Sequence, residues 1–371
     1  MSMSFSKFRS IAGNYMSLGR LPPIVVFESD DWGSQRTHDA ASLGRLSNMG
    51  FAMDKSVYAF DCIESLGDIN ALEGVLTENI SRSGSVPKFT VNFVMANPDF
   101  QAIDATDRTA YRYTPYYDEQ RLFDGPALAG AWAKAIRRGV FVPQLHCREH
   151  VKWWAWMADL AKPDTDASRT FGMNMFGVPQ ACSPTQTSYF KPIYVDEAFT
   201  RDHPDAFIQT IAEGARLFAD HFGFWSQTTI APVAFWNDWS EDIWHDHGIR
   251  GIQSPWVQSR EVNGEVSETP HFLGKSNCHG QRYLIRNCTF EPRKASLGVD
   301  RAISDIKRAF RFGKPAIVST HRVNYVSGID PDGAKVALSS LDRLLKAILN
   351  TWPDTEFLTS DALLARLIDN D

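Results

Sequence analysis

The chain alternates short apolar runs with longer amphipathic stretches. Residues 23–27 (Pro-Ile-Val-Val-Phe) run into Glu28, Ser29, Asp30 and Asp31, and residues 89–95 run into Ala96-Asn97-Pro98. Residues 140–145 end at His146, 228–235 at Trp236-Asn237-Asp238, 283–285 at Arg286-Asn287, 316–320 at His321-Arg322, and 356–359 at Ser360-Asp361. Short continuous apolar runs rich in β-branched residues predict strands buried on both faces. Between many of them, residues 125–138, 205–222, 299–312 and 333–350 carry apolar side chains at three- and four-residue spacing, which predicts helices. Asp205, after Pro204, and Asp332 read as helix-start residues. Buried strands alternating with helices predict a parallel sheet covered by helices. About seven or eight strands fit a closed or nearly closed α/β barrel better than an open doubly wound sheet.

No linker interrupts this pattern, so the chain reads as one domain over 1–371, with a core at about 22–365. Residues 98–124, 159–204 and 256–281 break the alternation and read as insertions at the C-terminal rim, the last with a hairpin turn near Asn263-Gly264. Composition narrows the function. Of the 371 residues 43% are hydrophobic and 22% charged, which excludes a disordered chain. The net charge of -6 and the lack of any long basic run, Arg137-Arg138 being a short cluster, argue against a nucleic-acid partner. No stretch reaches the length of a membrane span. The first twenty residues lack the apolar core of a signal peptide, so a cytoplasmic location is expected. Five irregularly spaced cysteines read as neither a disulfide framework nor a cysteine zinc site, and Cys147, Cys278 and Cys288 are expected as reduced thiols.

Three strand ends carry chemistry. At Asp30-Asp31-Trp32-Gly33, adjacent carboxylates pointing to different sides of the chain allow one to bind a metal while the other moves protons; the same residues also suit a plain turn. At His146-Cys147-Arg148-Glu149-His150, two histidines four apart share a face if the segment turns helical, and both imidazoles then reach one ion. Glu149 is either a partner holding one imidazole or a surface charge. His321 follows the apolar strand 316–320 at the same end and is a candidate general acid.

These residues resemble the polysaccharide deacetylases of the glycoside hydrolase/deacetylase superfamily. The resemblance implies a distorted (β/α)7-type barrel around one divalent ion: zinc first, with nickel, cobalt or manganese as other ions such a donor set accepts. It implies Asp31, His146 and His150 as the metal ligands, Asp30 as the catalytic base and His321 as the acid. The chain departs from the family pattern in three ways. The interval from Asp31 to His146 is long, Trp32 separates the aspartates from Gly33, and the Arg that orients the base is absent from residues 230–236. Arg286 and Arg148 are the candidates to replace it.

The 11 tryptophans mostly suit packing but also suit stacking on sugar rings. Trp32, Trp239 and Asn237 read as pocket-lining groups. Arg286 and Arg322, at strand ends, read as groups that bind a sugar hydroxyl or a carboxylate, or that brace a loop. The leading expectation is metal-dependent removal of an N- or O-acetyl group from a sugar or glycan precursor, with a carbohydrate or small acylated molecule as substrate. The alternatives are a glycosidase using paired carboxylates, such as Asp30 with Glu149 or Glu291, and a catalytically silent carbohydrate-binding barrel.

Overall fold

The computed structural model describes residues 5–16, 19–118, 125–190 and 197–369. Parts of two expected insertions, 119–124 and 191–196, lie outside the described residues. The strands are β1 (Ile24–Trp32), β2 (Phe89–Val94), β3 (Ala96–Pro98), β4 (Tyr113–Pro115), β5 (Phe141–Cys147), β6 (Thr228–Thr229), β7 (Gly251–Ser254), β8 (Val257–Val262), β9 (Glu265–Pro270), β10 (Arg282–Ile285), β11 (Cys288–Thr289), β12 (Ala316–His321) and β13 (Glu356–Leu358).

The main sheet is parallel and curls into a barrel. β12, β1, β2, β5, β6, β7 and β10 pair in that spatial order. β10 and β11 are two halves of one extended segment. The first half pairs with β7 and the second with β12. At the junction the Arg286 amide donates to Ser254 O at 2.8 Å, and the Asn287 amide donates to Ile317 O at 3.2 Å. One segment therefore joins both ends of the sheet, and the ring of pairings returns to β12. β13 adds a short strand against Ile24–Val26 of β1, below the point where β2 begins to pair at Phe27. Every residue of β1 and β2 is buried, as their continuous apolar character requires.

The helices match their predicted positions closely: Gly125–Arg137, Pro204–Phe222, Val299–Arg311 and Pro331–Thr351. Two starts lie earlier than expected. Pro204 and Pro331 occupy the first turns, after His203 and Asp330, because proline needs no N–H there. The expected strand 228–235 is cut to Thr228–Thr229. Pro232 cannot donate to a ladder, and Val233 and Ala234 take left-handed backbone at φ 52° and 57°. A further helix, Phe5–Met16, packs against the β8–β9 hairpin. That hairpin turns at Asn263-Gly264, where φ of 54° and 76° suits a two-residue turn.

The insertions are packed structures. Ile103, Trp156, Phe171, Tyr189 and Phe190 share one small apolar cluster, and Leu46, Phe51, Met173 and Cys182 belong to another. Gly33 marks where the chain leaves β1. Its φ is 81°, and a β-carbon there would stand 2.5 Å from Val94 O. Gly33→Ala is expected to lower stability by about 2 kcal/mol, read from the urea midpoint, because both the backbone and the space are wrong for a side chain.

Candidate metal centre

In a regular strand, neighbouring side chains point to opposite faces. At the end of β1 this alternation fails. The register against β2 shifts between Ser29 and Trp32, and Asp31 takes φ 77°, a left-handed conformation that aspartate tolerates better than most residues. Both Asp30 and Asp31 consequently line one cavity of about 910 Å³ at the C-terminal ends of the strands. They face different partners within it.

Asp31 meets His146, near the end of β5, and His150, in the turn after β5. That turn is not helical, as the sequence had suggested; the next helix begins at Trp153. The bend alone brings the two rings together, with centroids 5.2 Å apart. Nε2 of each histidine lies 3.6 Å from Asp31 Oδ1. The three ligand atoms fall within 4.8 Å of one another, and all three residues are buried. Such a set can share one small cation, and its N,N,O chemistry suits a divalent transition ion.

The protonation pattern fits that role. His146 Nδ1 lies 2.8 Å from the Ile230 carbonyl, which can only accept, so Nδ1 is the donor and Nε2 is the nitrogen that faces Asp31. Burial, helped by the Arg36 cation, holds the His150 pKa well below its ordinary value, which keeps the ring neutral, the form an imidazole needs to bind an ion. Burial works against charge on Asp31, yet the Arg36 cation keeps its carboxyl well below the usual range. Arg36 donates to Asp31 Oδ1 at 3.0 Å, lies 3.1 Å from Asp61 Oδ2 and stacks over Phe190 at 4.6 Å. The sequence reading missed Arg36. It sits five residues past Asp31 in an irregular segment, where periodicity carries no signal.

Asp30 faces the other way. Arg286 donates to its Oδ2 at 2.6 Å and its Oδ1 at 2.7 Å, and Asn92 adds a bond to Oδ1 at 2.7 Å. Burial opposes the charge, but Arg286 overrides it and the pKa falls to about 2. The same guanidinium donates through Nε to Glu28 at 2.6 Å. Gln253 joins Arg286 to Asn92. Arg286 thus stands against Asp30 in the way the missing motif Arg was expected to. Arg148, the other candidate, is engaged by Glu149 and Glu213.

His321 pairs with Asp30 in the β1–β12 register, and its Nε2 is 3.9 Å from Asp30 Oδ2. Its Nδ1 is 2.5 Å from Glu291 Oε1, and Asn324 binds the other Glu291 oxygen at 2.7 Å. Burial alone would lower the pKa of this ring; Glu291, with Asp30 and Asp31 adding, raises it to about 9. Glu291, which the sequence offered only as half of a glycosidase pair, is bound to His321 and does not line the cavity. Glu149, the other such carboxylate, is buried against Arg148, so it is neither a surface charge nor a partner of an imidazole.

Four expected pocket residues lie elsewhere. Trp32 is fully buried, bonds Ser29 Oγ and packs edge-on against Trp132, because the shift at Asp31 turns it into the core. Arg322 is fully buried and braces the loop after β1 through Asp61, Glu64 and Ser34 O. Trp239 packs on Phe207, and Asn237 stands just before the helix Asp238–Asp246, where its side chain makes no capping bond. Of the expected substrate-binding residues, Arg286 lines the cavity, where Asp30 and Glu28 engage it. The aromatic walls are Tyr15, Tyr58, Phe190 and Trp256. All five cysteines are free. No helix among the described residues is long and apolar enough to cross a membrane.

The fold and the site together define an α/β barrel whose strand ends present an Asp/His cluster to one cavity. No protein-family model matches the chain, and no curated protein matches it. Among solved structures, it is similar to an α-amylase from Thermotoga maritima (9% identity, TM-score 0.47, covering 95% of this chain and 75% of that one). It is similar to a peptidoglycan deacetylase from Bacillus subtilis (8%, 0.35, 95% of each). A third likeness is to a 4-alpha-glucanotransferase from Thermococcus litoralis (10%, 0.42, 95% of this chain), of whose length the chain spans 41%.

Proposed function

We propose that the protein is a metal-dependent hydrolase that removes an acetyl group, N- or O-linked, from a sugar or glycan precursor. The observation that carries this reading is the paired arrangement: three convergent ligand atoms on one side of the cavity, and on the other Asp30, held by Arg286, with its Oδ2 3.9 Å from Nε2 of His321, which Glu291 holds. Asp31, His146 and His150 would hold the ion, zinc being the first choice for two imidazoles and a carboxylate. A divalent ion there supplies Lewis acidity that polarises an acyl carbonyl and lowers the pKa of water.

The chain supplies the rest. Asp30 accepts the proton of the attacking water. Arg286 and Asn92 fix the plane of that carboxylate, so that its free lone pairs keep one direction. His321 delivers its Nε2 proton to the leaving nitrogen or oxygen. Glu291 holds Nδ1–H, which sets the ring orientation and stabilises the charged form. Tyr58, edge-on to His321 with ring centroids 5.5 Å apart, and Phe190 exclude water from this end.

The test is acetate release from N- and O-acetylated sugars by zinc-loaded protein. Release is expected, lost on chelation and in Asp30→Asn. Activity is expected to fall as pH rises through about 9, where His321 loses its proton. Glu291→Gln removes the main interaction that raises this pKa, so the alkaline limb is expected to move to lower pH. An alkaline limb unmoved by Glu291→Gln removes His321 as the acid. Metal-free turnover of glycosides, in place of acetate release, replaces the proposal with the glycosidase reading.

A further inference from the structure

The cavity has a second end that the chemistry above does not use. Its lining runs from the Asp/His cluster, past Thr289 and Trp256, to two helices that face each other. The helix Phe5–Met16 contributes Lys7, Ile11 and Tyr15, which recur at four-residue spacing along one stripe. The helix Val299–Arg311 contributes Arg301, Asp305 and Arg308, again along one stripe. Ser10 and Asn14 tie the first helix down by hydrogen bonds to His271 O, and Asn14 Oδ1 accepts from the Leu273 amide.

Three cationic side chains here face one carboxylate, in a chain whose net charge is -6. The carboxylate serves to position them. Asp305 is nearly fully buried and receives Arg301 Nε at 2.9 Å through one oxygen and Arg308 through the other. Tyr15 Oη accepts from Arg308 Nε at 3.1 Å. Both guanidiniums are thereby held in place, while about half of each side chain stays exposed at the cavity. Fixed arginine forks with outward N–H groups match the geometry of an oxyanion.

We propose that this end of the cavity is a subsite for an anionic group of the substrate, a phosphate or a carboxylate carried on the sugar away from its acetyl group. The proposal rests on the hydrolase reading only for which end of the substrate reacts. The Trp256 and Tyr15 rings, 5.8 Å apart, line the same cavity and offer apolar wall on which the body of a sugar would pack.

The test is calorimetric binding to the zinc-loaded full chain, which needs no turnover. The probes are N-acetylglucosamine, its 1-phosphate and N-acetylmuramic acid. At least one anionic probe is expected to bind tenfold or more tighter than the neutral sugar, and which one does so separates phosphate from carboxylate. The preference is expected to shrink between about 50 mM and about 500 mM salt, as screening predicts. It is expected to vanish in Arg301→Gln/Arg308→Gln with zinc content unchanged. If the double variant fails to fold, Arg301→Gln alone, at the more exposed position, is expected to lose most of it. Equal affinity for neutral and charged probes, no binding by any of them, or a preference that survives these substitutions overturns the subsite. Failure to release acetate from any substrate overturns the hydrolase reading and leaves the binding result standing.

Discussion

His146→Ala is expected to abolish stoichiometric zinc binding, measured as metal per chain after dialysis, and to lower acetate release by at least roughly 1,000-fold. That factor corresponds to losing about 4 kcal/mol of transition-state stabilisation, within what a Lewis-acid ion contributes. The protein is expected to stay folded. Deletion of this ring leaves one orphaned acceptor, the Ile230 carbonyl, and Arg36 still neutralises Asp31. Full zinc content in this variant would refute the assignment of His146 as a ligand. Asp31→Asn separates charge from shape, since asparagine tolerates the left-handed backbone. It too is expected to lose the ion while keeping the fold.

Arg286→Met is expected to have the largest effect on stability, about 3–5 kcal/mol by urea denaturation, because it leaves Glu28 and Asp30 buried without their cation. The pH dependence has a definite sign. In the native protein the Asp30 pKa is depressed to about 2, so its charge stabilises the fold above the unfolded pKa, and that contribution is lost as pH falls toward 2. Without Arg286, burial raises the folded-state pKa of both carboxyls. The variant is therefore most destabilised near neutral pH and recovers toward acid pH, where both groups are neutral. Arg286→Lys keeps the charge but loses the fork that reaches Glu28 and Asp30 together, and is expected to fall in between. A variant as stable as the native protein at pH 7 would show that the cation is not needed there.

Much of the barrel was legible because strands buried on both faces read as apolar runs, and because His146 and His321 follow two of them directly while Asp30 and Asp31 stand within four residues of a third. The strand 228–235 was misread because β-branched content outweighed Pro232, whose missing N–H ends the pairing. Trp32 was misplaced because a tryptophan beside a strand-end motif was read as a surface for a sugar ring, whereas the irregularity at Asp31, with its positive φ, turns it into the core. Arg286 entered as one of two candidates because the family pattern puts its arginine on another strand. Contact with Asp30 requires knowing that the segment 282–289 closes the ring. One signal was available and unused. Polar residues two apart within apolar strands (Glu28 and Asp30, Thr90 and Asn92, Gln144 and His146, Ser319 and His321) mark interior layers of a barrel.

The bulge at Asp31 makes a rigid tool of two neighbouring residues. Asp30 and Asp31, the proposed base and the proposed metal ligand, share one backbone, so their spacing is set by covalent bonds. The histidines ride on separate strands, and their distances to that pair depend on packing. Loosening of the barrel therefore degrades the site in a directed way. Slack between β1 and the strands leading to β5 spreads the ligand set first, whereas slack between β1 and β12 draws His321 from Asp30 while the ligands stay together. Substitutions remote from the cavity are thus sorted by which wall they loosen, into those that weaken the hold on the ion and those that slow delivery of the proton.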